Sequence, residues 1–260
     1  MIIEVGCSFF DETDRLFNIS TNVCASENYY KELERVLEIK KCDIPFVRIG
    51  NPKEDGGYIM IDDFHPSIAY SFGISNEVSW DTGMAKRGYE VYMYDPTIDS
   101  VPANPKFHFF KEGISGIDDN VLPYKTLEHF LHRNNHTGEG MILKMDVEGA
   151  EWHFLETVSE ETLAKFDQIV LEVHGIVNTA VPEYMIQCLD KLNLTHTLVH
   201  VHGNNTAPWV RAGERIYYNA MELTYISKKY HTYSGDVYLP IDIDVPNASD
   251  MPPNKPVKWN

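Results

Sequence analysis

The sequence predicts an α/β fold in which helices cover both faces of a mostly parallel sheet of about seven strands. From residue 66 onwards, short apolar runs alternate with stretches of helical periodicity, the order that parallel strands and crossover helices produce. The run Ile-Val-Leu at residues 169–171 is continuously apolar, as expected for a strand that is buried on both faces. A hydrophobic fraction of 43% is enough for one full core.

Each predicted element follows from its own periodicity. Tyr30, Leu33 and Val36 recur at helical spacing with charges between them, which predicts a surface helix over residues 27–41. Two apolar runs that flank a Gly-rich bend predict a hairpin over residues 46–61. The sheet strands are expected at residues 68–72, 90–94, 107–110, 141–145, 169–173, 196–202 and 221–226. Helices are expected between them at residues 78–87, 122–131, 152–158 and 183–192.

These patterns divide the chain into three parts. Residues 1–65 hold the helix and the hairpin that pack on the core, residues 66–228 form the sheet domain, and residues 229–260 form an extended C-terminal arm. Proline cannot donate to a helix or to a strand ladder, and five prolines interrupt the arm. The arm is expected to strap the body or to fray, and the alternatives are an arm that crosses a homodimer interface or covers the pocket.

The net charge of −17 disfavours several classes of partner. An acidic surface repels phosphate backbones and anionic lipid, so we expect a small-molecule acceptor and neither nucleic-acid nor membrane binding. The sequence has no basic leader before an apolar run and no stretch of the roughly 18 apolar residues that span a bilayer, which favours a cytoplasmic protein. The four cysteines, Cys7, Cys24, Cys42 and Cys188, form no metal-like cluster and are expected to be reduced thiols.

The residues after the first two strands indicate a nucleoside site, because ligands bind beyond the carboxyl ends of the strands in open α/β sheets. Gly73 follows the first strand, where a glycine lets the backbone approach a ligand, and Ile74 and Ser75 come next. Asp95, followed by Pro96, lies 22 positions after Gly73, the spacing at which a carboxylate accepts ribose hydroxyls. The alternatives are a plain turn at Gly73 and a capping role for Asp95.

The third and fourth strands add further groups to the same edge. Gly113 and Ile114 follow the third strand and are placed to line an adenine slot. Lys144 and Asp146 end the fourth strand and point to the same side of it. Charges beside an apolar strand are costly unless they are paired or bind a ligand. A salt-bridged strand end is the alternative.

An acid and several histidines end the fifth and sixth strands. Glu172 and His174 share one side of the fifth strand, and His200 and His202 share one side of the sixth. The strand ends are therefore expected to bring Asp146, Glu172, His174 and His202 towards one cleft. The alternative at each histidine is a satisfied residue of the core or the surface.

The segment K-M-D-V-E-G-A-E at residues 144–151 closely resembles the K-x-D-[VI]-E-G-x-E signature of FkbM-like methyltransferases. The segments at residues 55–58, 200–205 and 221–225 are also similar to parts of that family and its wider relatives, so the resemblance extends over residues 46–228. It implies a class I, Rossmann-like methyltransferase fold that binds S-adenosylmethionine. The glycine loop is shorter than the G-x-G-x-x-G of many class I enzymes, since only Gly73 remains, and this disfavours a nicotinamide cofactor.

The resemblance implies methyl transfer to an oxygen of a small sugar-like or phosphate-bearing metabolite, in glycan, capsule or natural-product synthesis, with S-adenosylhomocysteine as a product. The expected cofactor contacts are Gly73, Ile74, Ser75, Asp95, Pro96, Gly113, Ile114 and Asp146. A hydroxyl needs a base as it attacks, and histidine suits this role because its pKa lies near neutrality. The predicted base is His174 or His202. Glu172 or Asp146 would orient it or bind the acceptor, and Lys144 would place the acceptor oxygen or pair with Asp146.

Three alternatives stay open. Asp146, Glu172 and His202 could hold Mg²⁺, Mn²⁺ or Zn²⁺, and such a metal would acidify the acceptor hydroxyl. An NAD-dependent or nucleotide-sugar oxidoreductase uses a similar sheet, and it would bind NAD rather than S-adenosylhomocysteine. A non-catalytic nucleoside-binding protein would bind the cofactor without turnover, although the acids and histidines at the strand ends disfavour it.

Overall fold

The structure is a computed structural model, and it describes residues 26–119, 121–177 and 179–260 together with the backbone of residues 3–6. Within these residues, a seven-stranded sheet forms the centre of the fold. Its strands are β1 (Ile68–Phe72), β2 (Glu90–Tyr94), β3 (Phe107–Phe110), β4 (Met141–Asp146), β5 (Phe166–His174), β6 (His196–Gly203) and β7 (Ala220–Ser227). Their spatial order is β3-β2-β1-β4-β5-β7-β6, and β7 runs antiparallel to both of its neighbours. The predicted α/β fold with a mostly parallel sheet is confirmed.

Helices cover both faces of this sheet. They are α1 (Glu27–Val36), α2 (Ser79–Lys86), α3 (Leu127–Arg133), α4 (Glu151–Thr157), α5 (Glu160–Leu163) and α6 (Pro182–Thr195). Leu143 and Leu171 belong to the apolar cluster under α1, α3, α4, α5 and α6, whereas Ile142 and Val170 belong to the cluster under α2. Successive strand residues thus contact opposite faces, which is why these strands are apolar throughout.

A hairpin of Phe46–Gly50 and Gly57–Ile61 lies on the same face as α2. The side-chain amide of Gln168 bonds both the N–H and the carbonyl of Ile61, at 3.0 and 3.1 Å. Both partners are buried, so these bonds satisfy polar groups that burial would otherwise penalise. The hairpin is fixed on the sheet in this way, and its bend at residues 51–56 reaches the carboxyl ends of the strands.

Two helix boundaries differ from the sequence prediction. The first helix ends at Val36 rather than at residue 41, because the chain then runs beside β6 and the Lys40 N–H donates to the Leu198 carbonyl at 2.9 Å. The helix predicted at residues 122–131 begins only at Leu127, because Tyr124–Lys125 pairs as a short strand with Gly113–Ile114. In both places a tertiary contact overrides the local periodicity.

Short strands surround the central sheet and are not evident from the sequence pattern. Ile3–Gly6, Trp209–Ala212 and Arg215–Tyr218 form one small antiparallel sheet. Two further antiparallel pairs join Lys41–Cys42 to Thr232–Tyr233 and Tyr238–Leu239 to Val257–Lys258. Strands of two to four residues are too short to show an alternation of apolar and polar positions.

The C-terminal arm folds back on its own chain. Trp259 is buried, and its Nε1 donates to the Leu37 carbonyl at 2.7 Å. The carboxylate of Asp244 lies 3.1 Å from Nε2 of His200, at the edge of the sheet. The arm thus contacts the end of the first helix and the edge of the sheet, and its roles as a strap or as a homodimer contact stay predictions.

Within the described part of the chain, no helix combines the length and the apolarity needed to cross a bilayer. Cys42 and Cys188 are free thiols, and Cys7 and Cys24 lie outside the described residues. Burial raises the pKa of the Cys188 thiol to about 12, so this side chain is a protonated thiol at neutral pH.

Candidate active site

A cavity of about 530 Å³ opens at the carboxyl ends of β1, β2 and β4. The eight residues that were expected to contact the cofactor all line it: Gly73, Ile74, Ser75, Asp95, Pro96, Gly113, Ile114 and Asp146. Lys144 lines it too, and Asp55, Gly56 and Tyr58 contribute a wall from the hairpin. The strand ends therefore meet around one hollow, while the part that each residue plays in binding stays a prediction.

Gly73 directly follows β1 and lies against the end of β4, beside the cavity. Its φ of +76° lies in the left-handed region, and a Cβ at this position would collide with the Asp146 carbonyl. The Gly73 N–H donates to the Tyr94 carbonyl at 3.1 Å, and the Gly73 carbonyl accepts from Nζ of Lys144. Both the conformation and the close approach of β4 require glycine here.

We expect Gly73→Ala to lower the free energy of unfolding by at least about 1–3 kcal/mol, because left-handed strain alone has that cost and the methyl group also displaces β4. Urea unfolding measures the change. Gly138→Ala is the matched control, since a Cβ at Gly138 meets nothing within 4 Å. Equal stability of the two variants would contradict the argument.

Asp95 holds the turn that contains Gly73. Its Oδ2 accepts the N–H groups of Ile74 and Ser75, both at 2.8 Å, and its Oδ1 accepts the Thr97 N–H at 2.7 Å and the Thr97 hydroxyl at 2.6 Å. Burial opposes ionisation, but the hydrogen bonds from Thr97, Ser75 and Ile74 hold the pKa of Asp95 below its ordinary value. Asp95 therefore holds the turn at residues 73–75, and a ribose hydroxyl would share oxygens that already accept two hydrogen bonds each.

Lys144 does not form a direct ion pair with Asp146. Its Nζ donates to the Phe72 carbonyl at 3.4 Å and to the Gly73 carbonyl, and it lies 5.7 Å from the centre of the Tyr58 ring. The Tyr58 hydroxyl instead donates to Oδ2 of Asp146 at 3.4 Å. The side chains of Lys144 and Asp146 share a face of the sheet as expected, but the ammonium of Lys144 donates its hydrogen bonds to the carbonyls at the end of β1.

His174 lies among four carboxylates at the end of β5. Its Nδ1 is 3.1 Å from Oε1 of the fully buried Glu151, which also accepts the His174 backbone N–H at 2.6 Å. Its Nε2 faces Glu148, Glu172 and Asp146 at 3.5, 3.8 and 4.0 Å. Burial opposes the charged form, but the Glu151 hydrogen bond and the acids outweigh it and raise the pKa of His174 to about 9. With that pKa the ring carries a proton at neutral pH, and the role of His174 as the base stays a prediction.

Glu172 lies behind His174 and outside the cavity lining. It is in register with Asp146 on the neighbouring strand, is 3% exposed, and accepts Nδ2 of Asn204 at 2.9 Å. Burial, followed by the charges of Asp146 and Glu222, raises the pKa of Glu172 well above its ordinary value. Its position beside His174 fits the expected orienting role.

His202 does not reach the cavity. Asp146, Glu172, Glu222 and His202 are in register on adjacent strands, as the strand-end reasoning expects. However, β7 lies between β5 and β6, so His202 is two strands, about 10 Å, from Glu172. The C-terminal arm covers it there, with His202 Nδ1 3.4 Å from Oδ1 of Asp244. The expectation that His202 joins the other strand-end residues in one cleft is therefore not met.

Two groups of side chains bring metal-ligating atoms within 4.8 Å of one another: Asp146, Glu148 and His174, and Asp55, Glu172 and Glu222. The expected set of Asp146, Glu172 and His202 is not among the groups found in the described residues. The first group opens on the cavity, because Asp146 and Glu148 line it. His174 there has the carboxylate partner on its second nitrogen that metal-binding histidines usually have.

The lining of the cavity also includes residues that the sequence reasoning did not name as site residues, and three of them bear on the chemistry. Tyr58 comes from the hairpin, and Trp80 and Asp81 come from α2, where they are 1% and 2% exposed. A signal for Asp81 does exist in the sequence. The acid lies next to Trp80 and three residues before Met84, on the apolar side of a helix where an unpaired carboxylate is costly.

A doubly wound sheet with a ligand cavity at the ends of β1, β2 and β4 and an antiparallel last strand defines the class of Rossmann-like methyltransferases. The chain belongs to the FkbM methyltransferase family, since the family model described as "Methyltransferase FkbM domain" matches residues 18–193. The matched residues include the segment at 144–151, and the resemblance carried by that segment is confirmed.

Individual relatives share less of the chain. A human protein described as "Probable methyltransferase-like protein 24" is 29% identical over an alignment of 116 residues, and the match covers 40% of this chain and 32% of that protein. A structure described as "Putative hemolysin from Streptococcus thermophilus" aligns at 10% identity with a TM-score of 0.36, over 63% of this chain and 60% of that one. A structure described as "Putative methyltransferase from antibiotic biosynthesis pathway" of Anabaena variabilis ATCC 29413 aligns at 15% identity with a TM-score of 0.28, over 54% of this chain and 58% of that one.

Proposed function

We propose that the protein is an S-adenosylmethionine-dependent O-methyltransferase that acts on a small sugar-like metabolite. The observation that carries the proposal is that all eight residues expected to bind the cofactor line one cavity. Its volume of about 530 Å³ falls in the range of roughly 300–1,000 Å³ that small-molecule sites occupy. Membership of the FkbM family supports methyl transfer as the reaction.

The residues around the cavity fit the cofactor in two respects. Gly73 lines the cavity with backbone atoms alone, and the adjoining turn is fixed by Asp95. When bound, S-adenosylmethionine supplies an electrophilic methyl carbon next to a sulfonium charge. The protein's part is to hold an acceptor hydroxyl in line with that carbon and to remove its proton.

We assign the removal of the proton to Asp146, because His174 already holds a proton at neutral pH. Burial raises the pKa of Asp146 above its ordinary value, against the opposing charges of Lys144 and His174. A carboxylate with a raised pKa is a stronger base than an exposed one. The His174 imidazolium, 4.0 Å from Asp146, would stabilise the negative charge of the Asp146 carboxylate until this group takes the proton of the acceptor hydroxyl.

The charge of the cavity favours an uncharged acceptor. Asp55, Glu77 and Glu148 line the cavity and are exposed, and Lys144 is the cation among its described lining residues. Like charges repel a phosphate-bearing acceptor, so we favour a neutral sugar-like hydroxyl over the phosphate-bearing metabolite that the sequence left open. A cytoplasmic location, the absence of nucleic-acid and membrane partners, and a homodimer through the arm remain predictions of the sequence.

Calorimetry and a panel of acceptors test this function. We expect S-adenosylhomocysteine to bind with a Kd in the micromolar range and NAD to give no signal. Neutral monosaccharides and glycosides are then compared with their phosphates in the presence of S-adenosylmethionine, with release of S-adenosylhomocysteine as the readout. We expect turnover with neutral acceptors. Binding of NAD alone would support an oxidoreductase, and binding of S-adenosylhomocysteine without turnover across the panel would support a non-catalytic protein.

A divalent metal at Asp146, Glu148 and His174 is the alternative way to acidify the acceptor hydroxyl. Two carboxylates and an imidazole are suitable ligands for Mn²⁺ or Mg²⁺. Exhaustive chelation in the same assay separates the two mechanisms. Turnover that survives chelation supports Asp146 as the base, whereas turnover that is lost and then restored by Mn²⁺ supports the metal.

A further inference from the structure

The α2 helix buries a carboxylate at the cavity that no described protein group fully satisfies. Asp81 is 2% exposed and lines the cavity, and its Oδ1 has no hydrogen-bond partner among the described residues. The same holds for Nε1 of the neighbouring Trp80, which also lines the cavity. Buried polar atoms without a partner are rare because each one has lost its bonds to water. In a ligand cavity, the ligand is the natural source of the missing bond.

The Asp81 carboxylate is charged at neutral pH. Burial raises the pKa of Asp81 to about 6, while the charge of Lys144 and the Ser71 hydroxyl act in the opposite direction. Ser71 and Lys144 are register partners on β1 and β4, so Lys144 belongs to the same polar corner of the cavity. Lys144 is 7% exposed, and its bonds to the Phe72 and Gly73 carbonyls fix its ammonium at the end of β1. Besides Asp95, whose oxygens already accept hydrogen bonds, the cavity thus contains a buried anion at Asp81 and a buried cation at Lys144.

We propose that Asp81 and Lys144 form a subsite for a zwitterionic amino-acid group, in which Asp81 binds an α-ammonium and Lys144 binds an α-carboxylate. The inference rests on the proposed function, because S-adenosylmethionine and S-adenosylhomocysteine carry such a group at one end and adenosine at the other. Charge-assisted hydrogen bonds of this kind are the strongest that a buried subsite offers. They would supply the partner that Oδ1 of Asp81 lacks.

Two ligands that differ only at this end test the subsite by calorimetry. 5′-Methylthioadenosine keeps the adenosine and the sulfur of S-adenosylhomocysteine but has no amino-acid group. Asp81→Asn, which removes the charge and keeps the shape, is expected to raise the Kd for S-adenosylhomocysteine by about 10- to 100-fold. The Kd for 5′-methylthioadenosine should stay within about threefold of the wild-type value. Lys144→Met is expected to give the same pattern.

Two control variants define the comparison. Asp99→Asn makes the same change of charge at an exposed side chain outside the cavity lining, and both ligands should bind it as they bind the wild type. Asp95→Ala loosens the turn beside Gly73 and should weaken both ligands together. Retained binding of 5′-methylthioadenosine also shows that the Asp81 and Lys144 variants are folded.

An Asp81→Asn variant that binds S-adenosylhomocysteine as well as the wild type does, or that loses both ligands to the same extent, overturns the subsite. If the variant does not fold, the ligand supplies the same test on the wild-type protein. N-acetyl-S-adenosylhomocysteine has no ammonium and should bind at least about 10-fold more weakly than S-adenosylhomocysteine, and equal affinity overturns the inference. A wild-type protein that binds neither adenosyl ligand overturns the proposed function instead.

Discussion

The Asp146→Asn substitution is expected to lower kcat for methyl transfer by about 10²–10⁴-fold, because it removes the carboxylate that takes the proton of the acceptor. Asparagine keeps the shape of the side chain and an oxygen that can accept from the Tyr58 hydroxyl. Asp146 is also an expected cofactor contact, but its shape is kept, so the Kd for S-adenosylhomocysteine should rise by no more than about 10-fold and the larger loss should appear in kcat. Steady-state assays with the best acceptor of the panel give kcat, and calorimetry gives Kd.

The pH dependence of kcat separates Asp146 from His174 as the base. Turnover rises with pH as the base loses its proton, and the midpoint of the rise reports the pKa of the base. A base at His174 would put the midpoint near its pKa of about 9, whereas Asp146 would put it well below. The exposed Asp250→Asn serves as the control and should leave both kcat and the profile unchanged. Wild-type turnover in Asp146→Asn, or a midpoint near pH 9, would remove Asp146 from this role.

The cavity lining at the strand ends could be predicted because it depends on the ends of the strands alone. Parallel strands that are buried on both faces show as apolar runs, and the residue after each run lies at one edge of the sheet. Gly73, Asp95, Gly113 and Asp146 each follow or end such a run, and all four line the cavity. Nothing beyond the positions of the runs was needed to bring them together.

The surroundings of the other expected site residues depend on contacts between elements that are distant in the sequence. Nothing in the sequence pattern shows that β7 is inserted between β5 and β6, and this insertion separates His202 from Glu172. The proton on His174 is held by Glu151, a buried residue at the start of α4, the helix before β5, and its charge looks solvent-exposed in the sequence. Asp81 has the spacing of an ordinary helix residue, and its importance appears only when the cavity is seen. Periodicity gives the direction of a side chain but not the partner that lies there.

Asp244→Ala is expected to lower the free energy of unfolding by about 3–5 kcal/mol, the usual cost of removing one partner from a buried charge pair. The Asp244 side chain is 2% exposed, and its Oδ1 lies 3.1 Å from Nε2 of His200 and 3.4 Å from Nδ1 of His202. Burial opposes ionisation, but the two histidines outweigh it and hold the pKa of Asp244 well below its ordinary value. Removal of the carboxylate takes away the acid that both buried imidazoles contact and releases the C-terminal arm from the sheet edge.

Urea unfolding at several pH values tests the contacts between Asp244 and the two histidines, because it shows at which pH they stabilise the fold. The contribution of Asp244 is present above its unfolded pKa of about 4 and is lost as the pH falls towards the lowered folded value. For His202, burial opposes the charge, but Glu222 and Asp244 raise the pKa, so its contribution is full below the unfolded value of about 6.5 and is lost at higher pH. The difference in free energy of unfolding between wild type and variant should therefore be largest between about pH 4 and 6.5.

Asp242→Ala changes an exposed acid of the same arm and should cost less than about 0.5 kcal/mol. An Asp244→Ala variant as stable as this control would mean that the arm is held by its apolar contacts, such as Trp259, and not by the buried charges.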